Sequence, residues 1–346
     1  MNILHVITHG GWAGSESIAA SIANEQAARG DDVTVILRRH SSFKDKDILS
    51  RFLPSVNIFW VEQNETHPDN QMKNLMRNMS FIRMVSDIEI FHVHLPYGCL
   101  LGKRIKEELS LNFKICVTMH VRFHPLYYFA DSLFTVAEWQ NQEVPQDYIG
   151  QVYTIENFIC NDDSLNEKEL AVIKKKFYIN NENKYLIYIG RLDLVKGADV
   201  LIRAFNKVNP VGYKLIVVGD GSESASLKKI ASANVIFTGK IFNASYLMTL
   251  ADICIIPSRF ESFGLVLLEA INAGCRIIAT DIPSFKEILK DDDYLFCNED
   301  VNDLADKITS YISNPSLGLV DKSNIDKYSL TNAISKLDNA YFSADL

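Results

Sequence analysis

The sequence has few of the features that mark secreted or membrane-spanning proteins. No run approaches the roughly 18 consecutive apolar residues of a spanning helix, and Met1 leads directly into a strand-like segment without a signal-peptide pattern. The six cysteines are scattered without close pairs, mostly in apolar segments. That distribution favours buried thiols in a reducing compartment over disulfides or zinc ligands. We therefore expect a cytoplasmic protein.

Signals for nucleic acid and for dinucleotide cofactors are also missing. A net charge of −8 argues against broad nucleic-acid binding. The first glycine loop contains Gly10, Gly11 and Gly14, which is not the Gly-Xaa-Gly-Xaa-Xaa-Gly fingerprint, and the second predicted strand ends in Arg38 and Arg39 instead of an acidic residue. An NAD-dependent oxidoreductase is therefore the least favoured class of enzyme.

Short β-rich segments alternate with helical patterns along the whole chain. A chain of 346 residues with 47% hydrophobic residues can form two cores. The alternation predicts an α/β fold of two doubly wound, Rossmann-like parallel-sheet domains that face a cleft. The polar stretch 160–184 supplies the boundary. We expect domains at 1–160 and 161–327, with a helix in 328–346 that packs back on the first domain.

The most informative segment of the chain covers residues 257–274. A strand-like run ends at Pro257, a short loop carries Glu261, and a helix is predicted from Gly264 to Gly274 with Glu269 inside it. A helix N-terminus offers unpaired N–H groups to a phosphate, and two carboxylates beside it suit a ligand with hydroxyl groups. Eight residues of helix separate the carboxylates by about 12 Å, too far for the about 5 to 9 Å of a glycoside hydrolase. A plain helix start with an acidic first turn is the alternative.

Two cations follow another predicted strand. Arg191 and Lys196 lie in the segment from Gly190 to Gly197, directly after Tyr185–Ile189. A guanidinium and an ammonium at the carboxyl end of a buried strand suit a diphosphate. A solvated turn with two surface cations explains the same residues, but the position after a strand favours the functional interpretation.

Histidines and glycines follow other predicted strands. Gly11 and Gly14 allow the backbone of the first loop to approach a ligand, and Gly219 follows a strand of the second domain. His92 and His94 alternate on one strand and His120 follows the next, but no acidic or cysteine partner has ligand spacing. We therefore expect no metal, and we interpret His120 as a residue that bonds substrate hydroxyls.

Cations are concentrated in the first predicted domain. Lys73, Arg77 and Arg83 accompany a helical stripe of Met, Leu and Ile side chains in a helix predicted over 73–85. Peripheral contact with the anionic inner face of a membrane is one interpretation. An ordinary core-packing helix with a basic face explains the pattern slightly better.

The motifs over residues 185–290 resemble those of the retaining glycosyltransferases of family 4, which have the two-domain GT-B architecture. The shared motifs are Gly190-Arg191 to Lys196-Gly197, Gly219-Asp220-Gly221, Phe237-Thr238-Gly239, and Glu261-Ser262-Phe263-Gly264 through Glu269-Ala270 to Ala273-Gly274. The glutamate pair with seven residues between is the signature of that family. The first domain is more loosely similar, through Gly14-Ser15-Glu16, His92-Val93-His94, His120 and Asn157-Phe158-Ile159.

The resemblance implies a role for each matching residue. Arg191 and Lys196 would bind the donor diphosphate, with Gly11 near it. Glu269 would hold the ribose, and Glu261 would bind the hydroxyls of the transferred sugar. The backbone of Phe263, Gly264 and Leu265 would contact sugar and phosphate, and the backbone of Lys240 and Ile241 would meet the base. His120 would touch the sugar from the first domain. Glu261, His120, Arg191 and Lys196 form the implied catalytic set.

The implied activity is retaining hexosyl transfer from a UDP- or GDP-linked sugar to a hydroxyl acceptor. The acceptor would be a saccharide or a lipid-linked molecule of bacterial surface glycan, lipopolysaccharide or glycolipid synthesis. The resemblance implies neither a metal nor another cofactor, nor a nucleic-acid partner. The alternatives are a non-catalytic nucleotide-sugar-binding protein and an epimerase or phosphorylase of GT-B type.

Overall fold

The computed structural model describes residues 1–8, 12–41, 44–159, 167–180, 182–241 and 244–342. Its contacts divide the chain into two compact units. The first unit comprises Met1–Cys160 and Tyr328–Leu346, and the second comprises Asn161–Lys327. Each unit is built on one parallel sheet of apolar, buried strands with helices between them, as the alternating pattern predicts.

The first unit has a seven-stranded sheet in the order β3-β2-β1-β4-β5-β6-β7, with every pairing parallel. Its strands are β1 (Asn2–Ile7), β2 (Asp32–Arg38), β3 (Asn57–Val61), β4 (Ile90–Val93), β5 (Lys114–Met119), β6 (Ser132–Thr135) and β7 (Gln151–Thr154). The strand order reverses between β1 and β4. In doubly wound folds, ligands bind outside the carboxyl ends of the strands at this reversal.

Helices connect the strands of the first unit. They are α1 (Gly14–Ala28), α2 (Asp45–Leu49), α3 (Pro68–Leu75), α4 (Met79–Ser86) and α5 (Pro96–Leu109). The single helix predicted over 73–85 is wrong, because the chain breaks into α3 and α4 at Asn78. The Asn78 side chain accepts hydrogen bonds from the backbone N–H groups of Ser80 and Phe81 at 3.0 and 3.3 Å. Asparagine favours this capping position over a helix interior.

The second unit has a six-stranded sheet in the order β10-β9-β8-β11-β12-β13, also with parallel pairings. Its strands are β8 (Lys184–Ile189), β9 (Tyr213–Val218), β10 (Val235–Gly239), β11 (Ile253–Ile256), β12 (Arg276–Thr280) and β13 (Leu295–Phe296). Counted from β8, this is the same order as in the first unit. The reversal here lies between β8 and β11.

The helices of the second unit are α6 (Glu167–Lys176), α7 (Ala198–Val208), α8 (Ser224–Ile230), α9 (Leu265–Ala273), α10 (Pro283–Leu289) and α11 (Val301–Ser313). The sequence did not indicate α6, which lies inside the polar stretch taken as the boundary. The helix predicted over 244–250 is a 3₁₀ helix. Leu201 and Phe205 of α7 are fully buried against the sheet, and burial of each side chain contributes about 1.5–3 kcal/mol.

The last helix, α12 (Leu330–Phe342), belongs to the first unit. Arg29, the residue after α1, forms a fork-like ion pair with Asp338, with contacts of 2.7 and 3.1 Å. Lys114 donates to the carbonyl of Ala340 at 2.8 Å, and the Tyr341 hydroxyl bonds to His92 at 2.7 Å. These contacts attach α12 to both the surface and the interior of the first unit.

Two expectations from composition concern thiols and membrane spans. Cys99, Cys116, Cys254 and Cys275 are buried and free, whereas Cys297 is free and exposed. Cys160 lies outside the described residues. None of the helices described is both long and apolar enough to cross a membrane.

Candidate functional site

The strongest candidate site lies where the strand order of the second unit reverses. Two loops follow the carboxyl ends of the adjacent strands β8 and β11. The first loop covers residues 190–197 and precedes α7, and the second covers residues 257–264 and precedes α9. These are the two loops in which the sequence placed its cations and its first carboxylate.

Lys196 and Glu261 meet between these loops. The Lys196 ammonium lies 2.6 Å from Glu261 Oε1, and the Ser258 hydroxyl donates to the same oxygen at 3.0 Å. The side chains are 22% and 13% exposed, respectively, so this charge pair is partly shielded but open to a ligand. The structure thus brings together two residues that the sequence placed in separate motifs.

A short 3₁₀ helix, Leu194–Lys196, positions the lysine. Asp193 precedes this turn, and its Oδ1 accepts a hydrogen bond from the Lys196 backbone N–H at 3.1 Å. The following residue, Gly197, has φ = 67° and packs against the second loop. A Cβ there would lie 1.9 Å from the Pro257 carbonyl oxygen, so only glycine permits this approach.

Arg259 ties the two loops to α7. It forms a two-pronged ion pair with Asp199 at 2.8 and 3.0 Å, donates to the Leu194 carbonyl at 2.5 Å, and contacts Glu299 at 2.5 Å. Hydrogen bonding to Asp199 raises the pKa of Arg259. Partial burial of Asp199 would raise its pKa, but the hydrogen bonds and charge of Arg259 leave that pKa below its usual value. Both groups therefore remain charged at neutral pH.

Helix α9 begins as the sequence predicts, with Gly264 as its N-cap and Gly274 after its last residue. Phe263 is buried before it, and Leu265 opens its first turn, half-buried. The first turn contains no acidic residue. The alternative of an acidic first turn is therefore wrong, because Glu261 precedes the helix and Glu269 lies in its second turn, half-buried.

The other predicted residues of the second unit lie along the same sheet edge. Arg191 follows β8; its guanidinium contacts Asp193 at 3.1 Å and is 68% exposed. Gly219 follows β9, and a Cβ there would lie 1.8 Å from the Gly190 carbonyl oxygen. Lys240 and Ile241 follow β10. Because neighbouring parallel strands end at one edge, these residues form a continuous row beside the Lys196–Glu261 pair.

The predicted residues of the first unit are described less completely. Gly11 lies outside the described residues. Gly14 is the first residue of α1 and is exposed. Glu16 in the same turn is buried, and its carboxylate accepts hydrogen bonds from the Ala13 N–H at 2.8 Å and the Ser15 hydroxyl at 3.1 Å. His120 follows β5, so it lies at the carboxyl edge of the first sheet.

His120 is the outermost member of a hydrogen-bonded histidine series. His5 on β1 lies 3.1 Å from His94, and His94 lies 3.3 Å from His120, measured between ring nitrogens. Burial lowers the pKa of His5 and of His120 to about 4, and it lowers the pKa of His94 well below its usual value. All three rings are therefore neutral near pH 7.

Ring nitrogens of His5, His92 and His94 lie within 4.8 Å of one another, which is close enough to consider a metal. Both ring nitrogens of His92 are already bonded, to the Thr118 hydroxyl at 2.8 Å and to the Tyr341 hydroxyl at 2.7 Å. Desolvation of His92 keeps its pKa well below its ordinary value. These groups form a hydrogen-bonded buried network, and a cation there would displace existing hydrogen bonds.

Sequence reasoning missed several residues that shape these sites. Asp193, Asp199, Ser258 and Arg259 position the Lys196–Glu261 pair, and His5 and Gln26 extend the hydrogen-bonded histidine series inward. Arg259 stands two residues before Glu261, but nothing in the sequence shows that it reaches Asp199, 60 residues away. His5 lies in an otherwise apolar strand, and a polar side chain at such a position indicates a buried hydrogen-bond partner.

Three comparisons place the chain among known proteins. Residues 171–328 match the family described as glycosyl transferases group 1. The chain is 25% identical over 334 residues to the N-acetyl-alpha-D-glucosaminyl L-malate synthase of Bacillus anthracis, covering 88% of this chain and 86% of that protein. It is 29% identical over 195 residues to the O-antigen biosynthesis glycosyltransferase WclY of Escherichia coli, covering 54% of each.

A solved structure is similar to this chain over residues of both units. The Alr3699/HepE protein of Anabaena, in complex with UDP and glucose, superposes with a TM-score of 0.80 over 99% of each chain at 17% identity. At that identity the likeness concerns the fold. The first unit, outside the family match, is thereby included in the shared architecture.

Proposed function

We propose that this chain is a retaining hexosyltransferase that uses a UDP- or GDP-linked sugar. The premise is that the family match, the relatives and the GT-B fold support a group 1 glycosyltransferase. The observation that carries the proposal is the Lys196–Glu261 pair at the reversal of the second sheet. A cation beside a carboxylate, next to a helix N-terminus, suits a ligand that joins a diphosphate to a hydroxyl-rich sugar.

The donor would lie along the edge formed by β8 to β11. Lys196 and Arg191 would bind the diphosphate, and the N–H groups at the start of α9 would add to that charge stabilisation. Glu269 would hold the ribose, and the backbone at Lys240 and Ile241 would meet the base. Glu261, which Ser258 orients, would accept hydrogen bonds from the transferred sugar.

Catalysis in this proposal rests on positioning and on stabilisation of the leaving group. The bond between the anomeric carbon and the diphosphate oxygen breaks, and a bond from the acceptor oxygen to the same carbon forms on the same face. The acceptor proton passes to the departing diphosphate oxygen. Lys196, Arg191 and the α9 amides take up the negative charge that develops on the diphosphate, and no step requires a metal.

The relatives suggest candidates for donor and acceptor. Structures of Anabaena HepE contain UDP, UDP-glucose, or UDP with glucose, which favours UDP as the donor nucleotide. The names of relatives include O-antigen biosynthesis and a lipopolysaccharide galactosyltransferase. We therefore propose a saccharide or lipid-linked acceptor of surface glycan synthesis, reached at the cytoplasmic face of a membrane. L-malate, from the name of the Bacillus anthracis relative, is a second acceptor to test.

A donor screen followed by an acceptor screen tests this function. Thermal shift with UDP- and GDP-sugars should identify a nucleotide sugar that stabilises the protein, since a ligand at 100 times its Kd adds about 2.7 kcal/mol. Release of free nucleotide is then measured with saccharide, lipid-linked and L-malate acceptors. Stabilisation without release would favour a binding protein. Product formed without an acceptor, or only with free phosphate, would favour an epimerase or a phosphorylase.

A further inference from the structure

Two consecutive arginines end the second strand of the first sheet, and the proposed donor site uses neither of them. Arg38 is the last residue of β2, and Arg39 follows it. Because successive side chains of a strand point to opposite faces, the two guanidinium groups belong to opposite sides of the sheet. In doubly wound folds that bind dinucleotides, an arginine in this region accommodates a ribose phosphate. The end of β2 is therefore a position that ligands of this fold class reach.

Arg39 is neutralised by its own surroundings. Its Nε donates to Asp45 at 3.0 Å, and one of its terminal nitrogens donates to Glu62 at 2.5 Å. Its guanidinium lies 5.3 Å from the centre of the Trp60 ring, which packs against the core cluster on the α1 side of the sheet. The charge of Arg39 is thus satisfied within the first unit, so this residue is a matched control for Arg38.

Arg38 has no such partners. Its Nε is buried, and within the described part of the chain no group accepts a hydrogen bond from this nitrogen. The residue as a whole is half-buried, and none of the described carboxylates forms an ion pair with its guanidinium. A buried donor without an acceptor lowers the free energy of unfolding. An oxyanion that bonded to Arg38 would satisfy this donor and the positive charge together.

Thr8 is the neighbour of Arg38 on the adjacent strand. The parallel pairing of β1 with β2 ends with Ile7 opposite Leu37, so the next residues, Thr8 and Arg38, lie side by side about 4.8 Å apart. Both alternate with residues of the core cluster on the α5 side of the sheet. Thr8 is buried, and the described residues give its hydroxyl no hydrogen bond. A guanidinium and a hydroxyl thus share one face at the carboxyl edge, beside the reversal of the strand order.

We propose that Arg38 and Thr8 form an oxyanion-binding site of the first unit, which takes a carboxylate or a phosphate monoester. The guanidinium would donate from Nε and one terminal nitrogen to two oxygens of the anion, and the Thr8 hydroxyl would donate to one of them. Because the first loop lacks the dinucleotide fingerprint, the ligand is a small acid or a phosphate ester and not a dinucleotide. The site uses no residue of the second unit, so it goes beyond the proposed function and is tested separately from it.

The first measurement is the side-chain Nε–H spectrum of protein labelled with ¹⁵N-arginine, in low-salt buffer without oxyanions. The Arg38 signal is assigned by its loss in Arg38→Lys. Inorganic phosphate or L-malate, titrated separately, should shift this signal to saturation with a Kd of about 1 mM, the range for a small ligand held by a few hydrogen bonds. The Arg39 signal should stay in place, because Asp45 already accepts from its Nε. Saturation by one anion alone identifies the class of ligand. Saturation by neither, or an equal shift of all arginine signals, overturns the proposal.

Three variants then test which groups hold the anion, by calorimetry with the anion that saturates. All are made in the Lys196→Ala background, so that the proposed diphosphate site contributes little heat. Arg38→Met keeps the apolar stem of the side chain but removes its donors, and it should weaken binding about tenfold or more. Thr8→Val should weaken binding about 3- to 10-fold, and Arg39→Met should bind as its parent does. Equal affinities in Arg38→Met and its parent refute the site.

Thermal unfolding in the same background separates binding from a structural role of Arg38. Without anion, Arg38→Met should unfold at or above the temperature of its parent, because the variant removes a buried donor that has no acceptor. Saturating anion should raise the melting temperature of the parent and leave that of Arg38→Met unchanged. If Arg38→Met is less stable than its parent without anion, and the anion still stabilises it, Arg38 supports the fold and does not bind the anion.

Discussion

At the scale of single residues, the proposed donor must rearrange the charge pair between Lys196 and Glu261. The Lys196 ammonium and the Glu261 carboxylate lie 2.6 Å apart and neutralise each other. A diphosphate offers the ammonium more negative charge than one carboxylate does, so Lys196 can exchange its partner for the ligand. Glu261 then becomes available as a hydrogen-bond acceptor for the sugar. Arg191 is largely exposed and bonds only weakly to its own loop, so it can reach the same phosphates.

Removal of either cation should slow transfer by orders of magnitude. In the proposed donor site, Lys196→Ala and Arg191→Ala would each remove a charge-assisted contact to the leaving group, worth about 3 kcal/mol in the transition state. Lys207→Ala is the control, because Lys207 is an exposed α7 cation that bonds to Asn302. Steady-state kcat/KM and thermal unfolding are measured together. Near-normal turnover in both variants would exclude the diphosphate role.

The two glutamates should separate in their kinetics. Glu269→Ala should mainly raise KM, because a ribose contact is the same in the ground state and the transition state. Glu261→Ala should mainly lower kcat, because in the proposed site Glu261 would bond the sugar beside the reacting carbon. Initial rates over a range of donor concentrations distinguish the two effects. A lowered kcat in Glu269→Ala together with a raised KM in Glu261→Ala would exchange the ribose and sugar roles of the two glutamates.

At the scale of elements, Arg259 joins the loops that carry Lys196 and Glu261. It contacts the Leu194 carbonyl in one loop, belongs itself to the other, and pairs with Asp199 in the first turn of α7. Such contacts hold the functional side chains at a fixed separation without touching a ligand. Their loss should therefore affect turnover and local stability together.

Arg259→Ala should lower kcat/KM by about tenfold or more and reduce the free energy of unfolding by about 1–3 kcal/mol, because Asp199 loses its partner. Asp199→Asn should likewise lower both kcat/KM and the free energy of unfolding. Glu299→Gln, at the exposed contact, should change little. Rates and denaturant unfolding curves check this. A normal rate in Arg259→Ala would show that the loops keep their geometry unaided.

The basic surface of the first unit gives a second prediction at this scale. Lys73, Arg77 and Arg83 are all exposed near the α3–α4 break, and Met79 beside them is 65% exposed. Three cations near acidic lipid contribute about 1 kcal/mol each, which predicts weak, salt-sensitive binding to anionic vesicles. Co-sedimentation of wild type and the triple Glu variant at low salt measures it. Equal recovery with neutral and anionic vesicles would leave this surface with no membrane role.

At the scale of the whole molecule, buried histidines make the first unit sensitive to acid. The pKa of His5 is about 4 in the folded protein, against 6.5 for an ordinary histidine. Below pH 6.5 the His5 side chain binds a proton in the unfolded chain but not in the folded chain. The free energy of unfolding therefore has its full value above pH 6.5 and decreases as the pH falls to about 4. For His5 alone the loss is about 3 kcal/mol, and His92, His94 and His120 act in the same direction.

Tryptophan fluorescence can follow this loss selectively, because Trp12, Trp60 and Trp139 all belong to the first unit. Urea unfolding at pH 7 and pH 5 should show a smaller pH dependence in His5→Gln than in wild type. His67→Gln, at an exposed position, is the control. An identical pH dependence in His5→Gln and wild type would contradict a neutral, buried His5.

Much of the architecture could be predicted from the sequence, because buried parallel strands are continuous apolar runs and the glycines at 264 and 274 mark the ends of α9. The break at Asn78 was missed because one capping side chain overrides an uninterrupted apolar stripe. The functional motifs were found one by one, but their pairing was not. The Lys196–Glu261 and Gln26–His5 contacts join residues 65 and 21 positions apart, and only the fold sets such distances.

The most direct test of the central claim is proton NMR of the reaction in time, with the donor and acceptor found in the screen. We expect the anomeric signal of the nucleotide sugar to decline while nucleoside diphosphate and one new glycoside accumulate in equal amounts. The first-formed glycoside should have the donor's anomeric configuration, and Lys196→Ala should suppress the whole change. Inversion at the anomeric carbon would contradict the retaining mechanism, and failure to consume any UDP- or GDP-sugar with any acceptor tested would contradict glycosyl transfer itself.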